Sequence, residues 1–317
     1  MKIIKILPII GLVIFIYILS TLDLDKLVDV FLQINILYGL LAVFAIIPFH
    51  LIFNFEWQLI LKRHNINVSF LYSLKNMYIG YFYGFITPGG LGGWTRVYYL
   101  KEESGESIQK CFVNSLLVNT IEYLTLLSIG IFGAFLFSSK YPTIFPFFIL
   151  MFTMIIILLI LFIRKDTGKK FINKLLFSRL FNQYRDKWDT HIENLYEDIP
   201  KIRDLILPAA ISIFGWMFWF SELYLISTLF SINIPFYNFI FILPVVKIIS
   251  LLPITFQGLG TREAMIIGLF SLFNVPQENA LGFSLLWYAA TWLYPSIVGA
   301  FITFYETKRK NKISRDL

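Results

Sequence analysis

Runs of apolar residues too long for a soluble core set the terms for everything else this chain can do. Ile36 to Leu61, Cys111 to Phe137, Ile144 to Ile163 and Leu281 to Phe304 approach or exceed the roughly 20 residues that an α-helix needs to cross about 30 Å of hydrocarbon. In that medium every backbone N–H and C=O must be satisfied by the chain itself, which leaves helices or a closed barrel. The two-residue alternation of a barrel strand is absent. The expected class is therefore an all-α polytopic membrane protein. A content of 57% hydrophobic residues among 317 leaves no room for a soluble domain of ordinary composition.

A net charge of +7 raises the question of nucleic acid, but the basic residues sit at the ends of apolar runs rather than on one polar face. Lys2 and Lys5, Lys62 and Arg63, the stretch Arg164 to Arg203, and Lys308 to Arg315 carry the excess, which the positive-inside rule assigns to the cytoplasm. The connections Leu22 to Asn35, Ser138 to Thr143, Ser231 to Pro235 and Asn274 to Asn279 are acidic or nearly uncharged and belong outside. Both termini are then expected inside, in a plasma membrane, with no nucleic-acid partner. Residues 1 to 20 have a basic start and an apolar stretch but no small-residue cleavage site, so they read as an uncleaved first helix.

Two breaks interrupt this apolar sequence in corresponding ways. The first is Pro88-Gly89-Gly90-Leu91-Gly92-Gly93-Trp94-Thr95-Arg96; the second runs from Pro253 through Gly258-Leu259-Gly260-Thr261 to Arg262-Glu263. Helix-breaking residues at membrane depth are tolerated where they are buried in protein or line a watery cavity, and paired breaks in two halves point to a binding site. The charge count requires residues 71–100 to enter and return to the cytoplasmic side, although their arms are too short for two full spans. A re-entrant hairpin with its tip at Pro88 to Gly92 satisfies both conditions. The segment 236–273, with its tip at Pro253 to Gly260, must begin and end outside, as a second hairpin or as a pair of true spans. The expected organisation is a first membrane half over 1–163, a cytoplasmic amphipathic linker over 164–204 and a second half over 205–317. Six full spans and two hairpins would form an inverted repeat, with a short interfacial helix at Leu24 to Leu32.

Each charge left at membrane depth costs several kcal/mol and needs a paired or hydrated setting. Arg96 follows the Gly92-Gly93 break by one turn, where a half-helix N-terminus and a guanidinium together favour a phosphate. A snorkelling arginine is the competing reading. Arg262 and Glu263 either neutralise each other within the protein or line a cavity, and Lys247 is a candidate second positive charge. Glu122, with Asn114 and Asn119 on neighbouring turns, is a candidate charge partner or proton carrier, as is Glu56 near His50 and Asn54. The substrate-binding set is thus Arg96, Gly90, Gly92, Gly93, Gly258, Gly260, Arg262 and Glu263, with Glu122, Lys247 and Asn119 as coupling or partner residues. Cys111 is the sole cysteine, and His50, His64 and His191 are too dispersed for a zinc site, so neither metal nor cofactor is expected.

At the two breaks the chain resembles the flippase-like family named for the transmembrane region of lysylphosphatidylglycerol synthases. Pro88, Gly92 and Arg96 match the first motif of that family, and Gly258, Leu259, Gly260, Arg262 and Glu263 match its second, Gly-Leu-Gly-x-Arg-Glu. The chain departs from the pattern at Gly93, where the family often has an acidic residue, and at Tyr123, where it often has arginine after glutamate. The resemblance implies movement of a phospholipid, an aminoacylated lipid or a lipid-linked sugar between leaflets, and the missing P-loop and zinc motifs lead us to expect no enzymatic activity. The alternatives are a membrane-embedded enzyme that modifies lipid head groups and a non-transporting partner of a synthase or transferase, recruited through the cytoplasmic loop.

Overall fold

The computed structural model describes residues 2–136, 202–250 and 257–316, with residue 255 and isolated positions between 146 and 157. Every regular element among the described residues is helical. In chain order they are α1 (Lys2–Thr21), α2 (Leu24–Leu32), α3 (Ile36–Phe44), α4 (Ile46–Arg63), α5 (Phe70–Phe85), a 3-10 helix (Pro88–Trp94), α6 (Thr95–Ser104), α7 (Ile108–Leu136), α8 (Ile202–Thr228), α9 (Phe236–Ser250), α10 (Thr261–Ser271), α11 (Gln277–Tyr288) and α12 (Tyr294–Asp316).

Among the described residues, four stretches are long and apolar enough to cross a membrane: Ile36–Arg63, Ile108–Gly133, Arg203–Thr228 and Gln277–Lys308. Six were expected. Of the other two, α1 contributes the shorter apolar stretch Gly11–Thr21, and more than half of Ile144 to Ile163 lies outside the described residues. The amphipathic linker lies outside them up to residue 201. Large apolar side chains stand open on the surface, Leu225 at 67%, Phe304 at 71% and Phe301 at 72% exposure, a surface that lipid covers without penalty.

The chain clusters into two compact units that interleave in sequence, one of residues 1–55, 69–99 and 214–317, the other of residues 56–68 and 100–213. In the first unit, α5 and α6 fold back on one another as an antiparallel hairpin. Tyr72 Oη donates to the Tyr99 carbonyl at 2.8 Å, and Asn76 Nδ2 donates to the Arg96 carbonyl at 2.9 Å. The arms have 16 and 10 residues, about 24 and 15 Å by helical rise, both short of the hydrocarbon thickness. A second antiparallel hairpin is built from α9 and α10, with arms of 15 and 11 residues. Phe239 meets Phe270 at 5.6 Å near its base, and a Cβ on Gly258 would lie 2.7 Å from Ser250 Cβ near its tip.

Close approaches of glycine hold this unit together, as expected where lipid is as apolar as the side chains and attraction comes from packing. A Cβ on Gly299 of α12 would fall 2.0 Å from the Tyr78 carbonyl of α5, and one on Gly260 would fall 2.1 Å from the Gly11 carbonyl of α1. Ser296 Oγ also donates to the Tyr81 carbonyl at 3.2 Å, and Lys75 pairs with Glu306 at 3.5 Å. Between α11 and α12 the chain widens into a π-helical stretch over Ala289–Leu293, immediately before Pro295, whose missing N–H cannot continue the ladder. Helix α2 forms at Leu24–Leu32, as its pattern predicts, capped by Asp23, whose carboxylate accepts from the Lys26 N–H. That hydrogen bond, joined by the Lys26 side chain, holds the Asp23 carboxyl below its usual range.

In the second unit, the end of α4 is tied to α7 through Asn114. Trp57 Nε1 donates to Asn114 Oδ1 at 2.9 Å, and Asn114 Nδ2 donates to His64 Nδ1 at 3.0 Å. Arg63 pairs with Asp204 at 3.3 Å, and Thr125 of α7 bonds Ser212 of α8 through their hydroxyls at 2.8 Å.

Candidate functional site

The first glycine break is a tightly wired turn. Pro88 opens the 3-10 helix, where a missing N–H costs nothing. Thr87 Oγ1 donates to the Tyr83 carbonyl at 2.7 Å and accepts from the Gly92 N–H at 2.7 Å. Gly90 adopts a left-handed φ of 70°, and its N–H donates to the Thr87 carbonyl at 3.2 Å. A Cβ on Gly92 would lie 2.1 Å from the Tyr83 carbonyl, so glycine is required for the arms to close. The donors of Gly90 and Gly92 are thus committed within the turn.

Because the 3-10 helix runs directly into α6, the Thr95 N–H is also committed, to the carbonyls of Gly92 and Gly93. Arg96 sits in the first turn of α6, half-buried, with its aliphatic stem beside Gly80 of the opposite arm. Gly93 faces the same residue, a Cβ there lying 3.5 Å from the Gly80 carbonyl.

The tip of the second hairpin meets the tip of the first. Gln257 Nε2 donates to the Gly84 carbonyl at 2.7 Å and lies against Gly90. Pro253, expected at this tip, lies outside the described residues. Gly258 and Gly260 both take positive φ, 81° and 86°, and Glu263 reaches back to cap the Gly260 N–H at 2.6 Å. Arg262 and Glu263 pair with each other, exposed by 2% and 0%. Ser284 completes the loop, accepting from Arg262 Nε at 3.0 Å and donating to Glu263 Oε1 at 3.0 Å. The guanidinium lies over Tyr288 at 4.6 Å and Trp287 at 5.9 Å. This pair is a closed, satisfied network holding the second turn.

Lys247 of α9 projects among three tryptophans. Its ammonium is 5.3 Å from the ring of Trp219, 5.6 Å from Trp292 and 6.0 Å from Trp216, each within cation–π reach. Trp292, on the π-helical stretch, meets Tyr81 at 5.6 Å, and Tyr81 meets His50 at 4.9 Å. His50 is fully buried, its Nδ1 bonded to Tyr78 Oη at 3.1 Å.

Among the sequence candidates, Arg96, Gly90, Gly92, Gly93, Lys247, Gly258, Gly260, Arg262 and Glu263 all belong to the first unit, while Glu122 and Asn119, both half-buried on α7, belong to the second. Sequence reasoning passed over Gln257, Ser284, Thr87 and the tryptophan set around Lys247. The signal for Gln257 was present: an uncharged amide between Phe256 and Gly258 in an apolar run needs a partner. No metal-ligating group of three or more acidic, histidine or cysteine residues occurs among the described residues.

Comparison with known proteins agrees with the motif reading. A family model described as the lysylphosphatidylglycerol synthase TM region matches residues 3–299. A UPF0104 membrane protein of Methanocaldococcus jannaschii is 27% identical over 325 residues, covering 96% of this chain and 95% of that protein. Another UPF0104 membrane protein, of Methanothermobacter thermautotrophicus, is 25% identical over 285 residues, covering 82% of this chain and 80% of its own length.

Proposed function

This chain belongs to the lysylphosphatidylglycerol synthase transmembrane-region family, and on that premise we propose that it moves an anionic lipid or a lipid-linked sugar between the leaflets of the cell membrane. The observation that carries this reading is the meeting of two short-armed helical hairpins at their glycine tips, through Gln257 and the Gly84 carbonyl. Interrupted helices that meet within an apolar protein are the usual way to place polar groups at membrane depth. In this reading the hairpins re-enter from opposite faces, both termini are cytoplasmic and the full complement is six spans.

Arg96 is the anchor for the head-group phosphate, because a guanidinium offers paired donors and the glycine N–H groups at 90 and 92 are already committed. Lys247 supplies the second positive charge against an aromatic wall. Arg262 and Glu263 shape the second tip without touching the head group themselves.

The test is lipid translocation by the purified protein in vesicles, comparing wild type with Arg96→Ala, Lys247→Ala and Arg96→Lys. Both alanine variants are expected to lose most of the rate, with Arg96→Lys intermediate. Wild-type rates in both alanine variants would overturn the assignment. A lipid whose mass changes during incubation would instead favour a head-group-modifying enzyme.

A further inference from the structure

We propose that the π-helical stretch Ala289–Leu293 is a hinge between the two hairpins, and that Trp292, carried on it, is a lid that opens and closes over Lys247. The helix that runs from Gln277 to Lys308 holds one hairpin on each side of that stretch. Before it, α11 grips the second hairpin, through Ser284 between Arg262 and Glu263 and through Trp287 and Tyr288 against the guanidinium. After it, α12 grips the first, through Ser296 on the Tyr81 carbonyl and Gly299 against the Tyr78 carbonyl. Movement of one hairpin relative to the other therefore falls on the five residues between.

Those residues are built to take it up. The Tyr294 N–H reaches back to the Ala289 carbonyl, the Thr291 hydroxyl donates to the Trp287 carbonyl, and Pro295 withholds the next N–H. Such wide turns are where long helices kink, and they are frequent at functional sites. The links that cross between the two sides include one neutral hydrogen bond, from Gln257 to Gly84, and ring contacts that can slide, Tyr81 on Trp292 at 5.6 Å and Phe85 on Tyr288 at 6.1 Å. The cage around Lys247 divides in the same way. Trp216 and Trp219 of α8, 3% and 2% exposed, are wedged against Phe49 and Phe220 and form its fixed wall. Trp292 is half-buried, and its ring bridges Lys247 of the second hairpin, at 5.6 Å, to Tyr81 of the first. When the hairpins part, that ring cannot keep both contacts, and the ammonium exchanges an aromatic neighbour for room to meet a phosphate.

The purpose given to this movement rests on the translocation reading, but the movement does not, and its test uses no transport. A Cβ on Gly90 would lie 3.7 Å from the Gln257 side-chain amide carbon, so cysteines at the two positions are within reach of a short thiol-to-thiol bridge. The whole protein in detergent, carrying Cys111→Ser, Gly90→Cys and Gln257→Cys, is bridged with a bismethanethiosulfonate, whose two sulfenyl groups pass to the thiols as methanesulfinate leaves. Bridged protein, and the same protein released with dithiothreitol and desalted, are acetylated briefly with an N-hydroxysuccinimide ester. Peptide mass spectrometry compares acetyl on Lys247 with acetyl on exposed Lys62. Lys247 labelling should fall on bridging and recover on release, with Lys62 unchanged; equal labelling of the two forms would overturn the hinge and the lid together. Gln257→Ala, which needs no bridge, should raise Lys247 labelling about fivefold, the factor that one neutral hydrogen bond is worth, and no rise there would also overturn the proposal. With Trp292→Ala added to the cysteine variant, bridging should no longer matter, and suppression that persisted would overturn Trp292 as the lid. Failure of translocation in the vesicle assay would leave these labelling results standing.

Discussion

Gln257 and Gly84, separated by 173 residues in sequence, join the tips of the two hairpins by a single side-chain hydrogen bond of 2.7 Å. The Gly84 carbonyl also receives weaker bonds from Thr87, at 3.4 Å from its N–H and 3.3 Å from its hydroxyl, so removing the amide does not fully orphan it. Gln257→Ala should therefore cost about 1 kcal/mol rather than the upper end of a lost buried bond. Gln257 holds a left-handed φ of 50°, which glycine adopts freely. Gln257→Gly should accordingly melt above Gln257→Ala although both lose the bond. Thermal unfolding of the two variants in one detergent checks the order; the reverse order would place the cost elsewhere than in backbone strain.

Gly92 and Gly268 form a matched pair for a steric test. A Cβ on Gly92 meets the Tyr83 carbonyl at 2.1 Å, backbone that cannot rotate away, whereas one on Gly268 meets nothing within 4 Å. Gly92→Ala should open the first hairpin and lower the melting temperature markedly. Gly268→Ala, in the exposed interior of α10, should be neutral or stabilising by about 0.5–1 kcal/mol. Equal melting temperatures for the two variants would contradict the closed turn.

The buried Arg262–Glu263 pair makes a prediction about non-additivity. Arg262→Met strands the Glu263 carboxylate, and Glu263→Gln strands the guanidinium, each at about 3–5 kcal/mol. The double variant leaves no uncompensated charge and should cost less than the sum of the two. A double-mutant cycle by thermal or denaturant unfolding reads the coupling. Additive losses would show that the two side chains are stabilised separately, through Gly260, Ser284 and the rings, rather than by each other.

Much of this organisation is legible in the chain because local rules govern it. Pro88 and the glycines at 90 and 92 can only form a turn, and Gly258-Leu259-Gly260 followed by Glu263 reads as a helix start with an acidic cap. The boundaries of α2 follow directly from Asp23 and the apolar spacing after it. The charge at Arg262 illustrates the limit: its sequence neighbours allow either internal pairing or a cavity, and only the position of Ser284, in another helix, closes the network.

The sequence by itself determined that the chain is a helical membrane protein with two interrupted segments, since hydrocarbon forces backbone bonds to be local and glycine and proline break them locally. Tertiary structure alone decided which polar groups meet. Gln257 finds Gly84, Lys247 finds three tryptophans, and Asn114 finds Trp57 and His64 through contacts between segments far apart in the chain. Periodicity records which face of a helix is apolar, but in a protein apolar on nearly every face it carries no information about the neighbour. That choice rests on shape, on where glycine lets two backbones touch, and on the need of every buried polar atom for a partner.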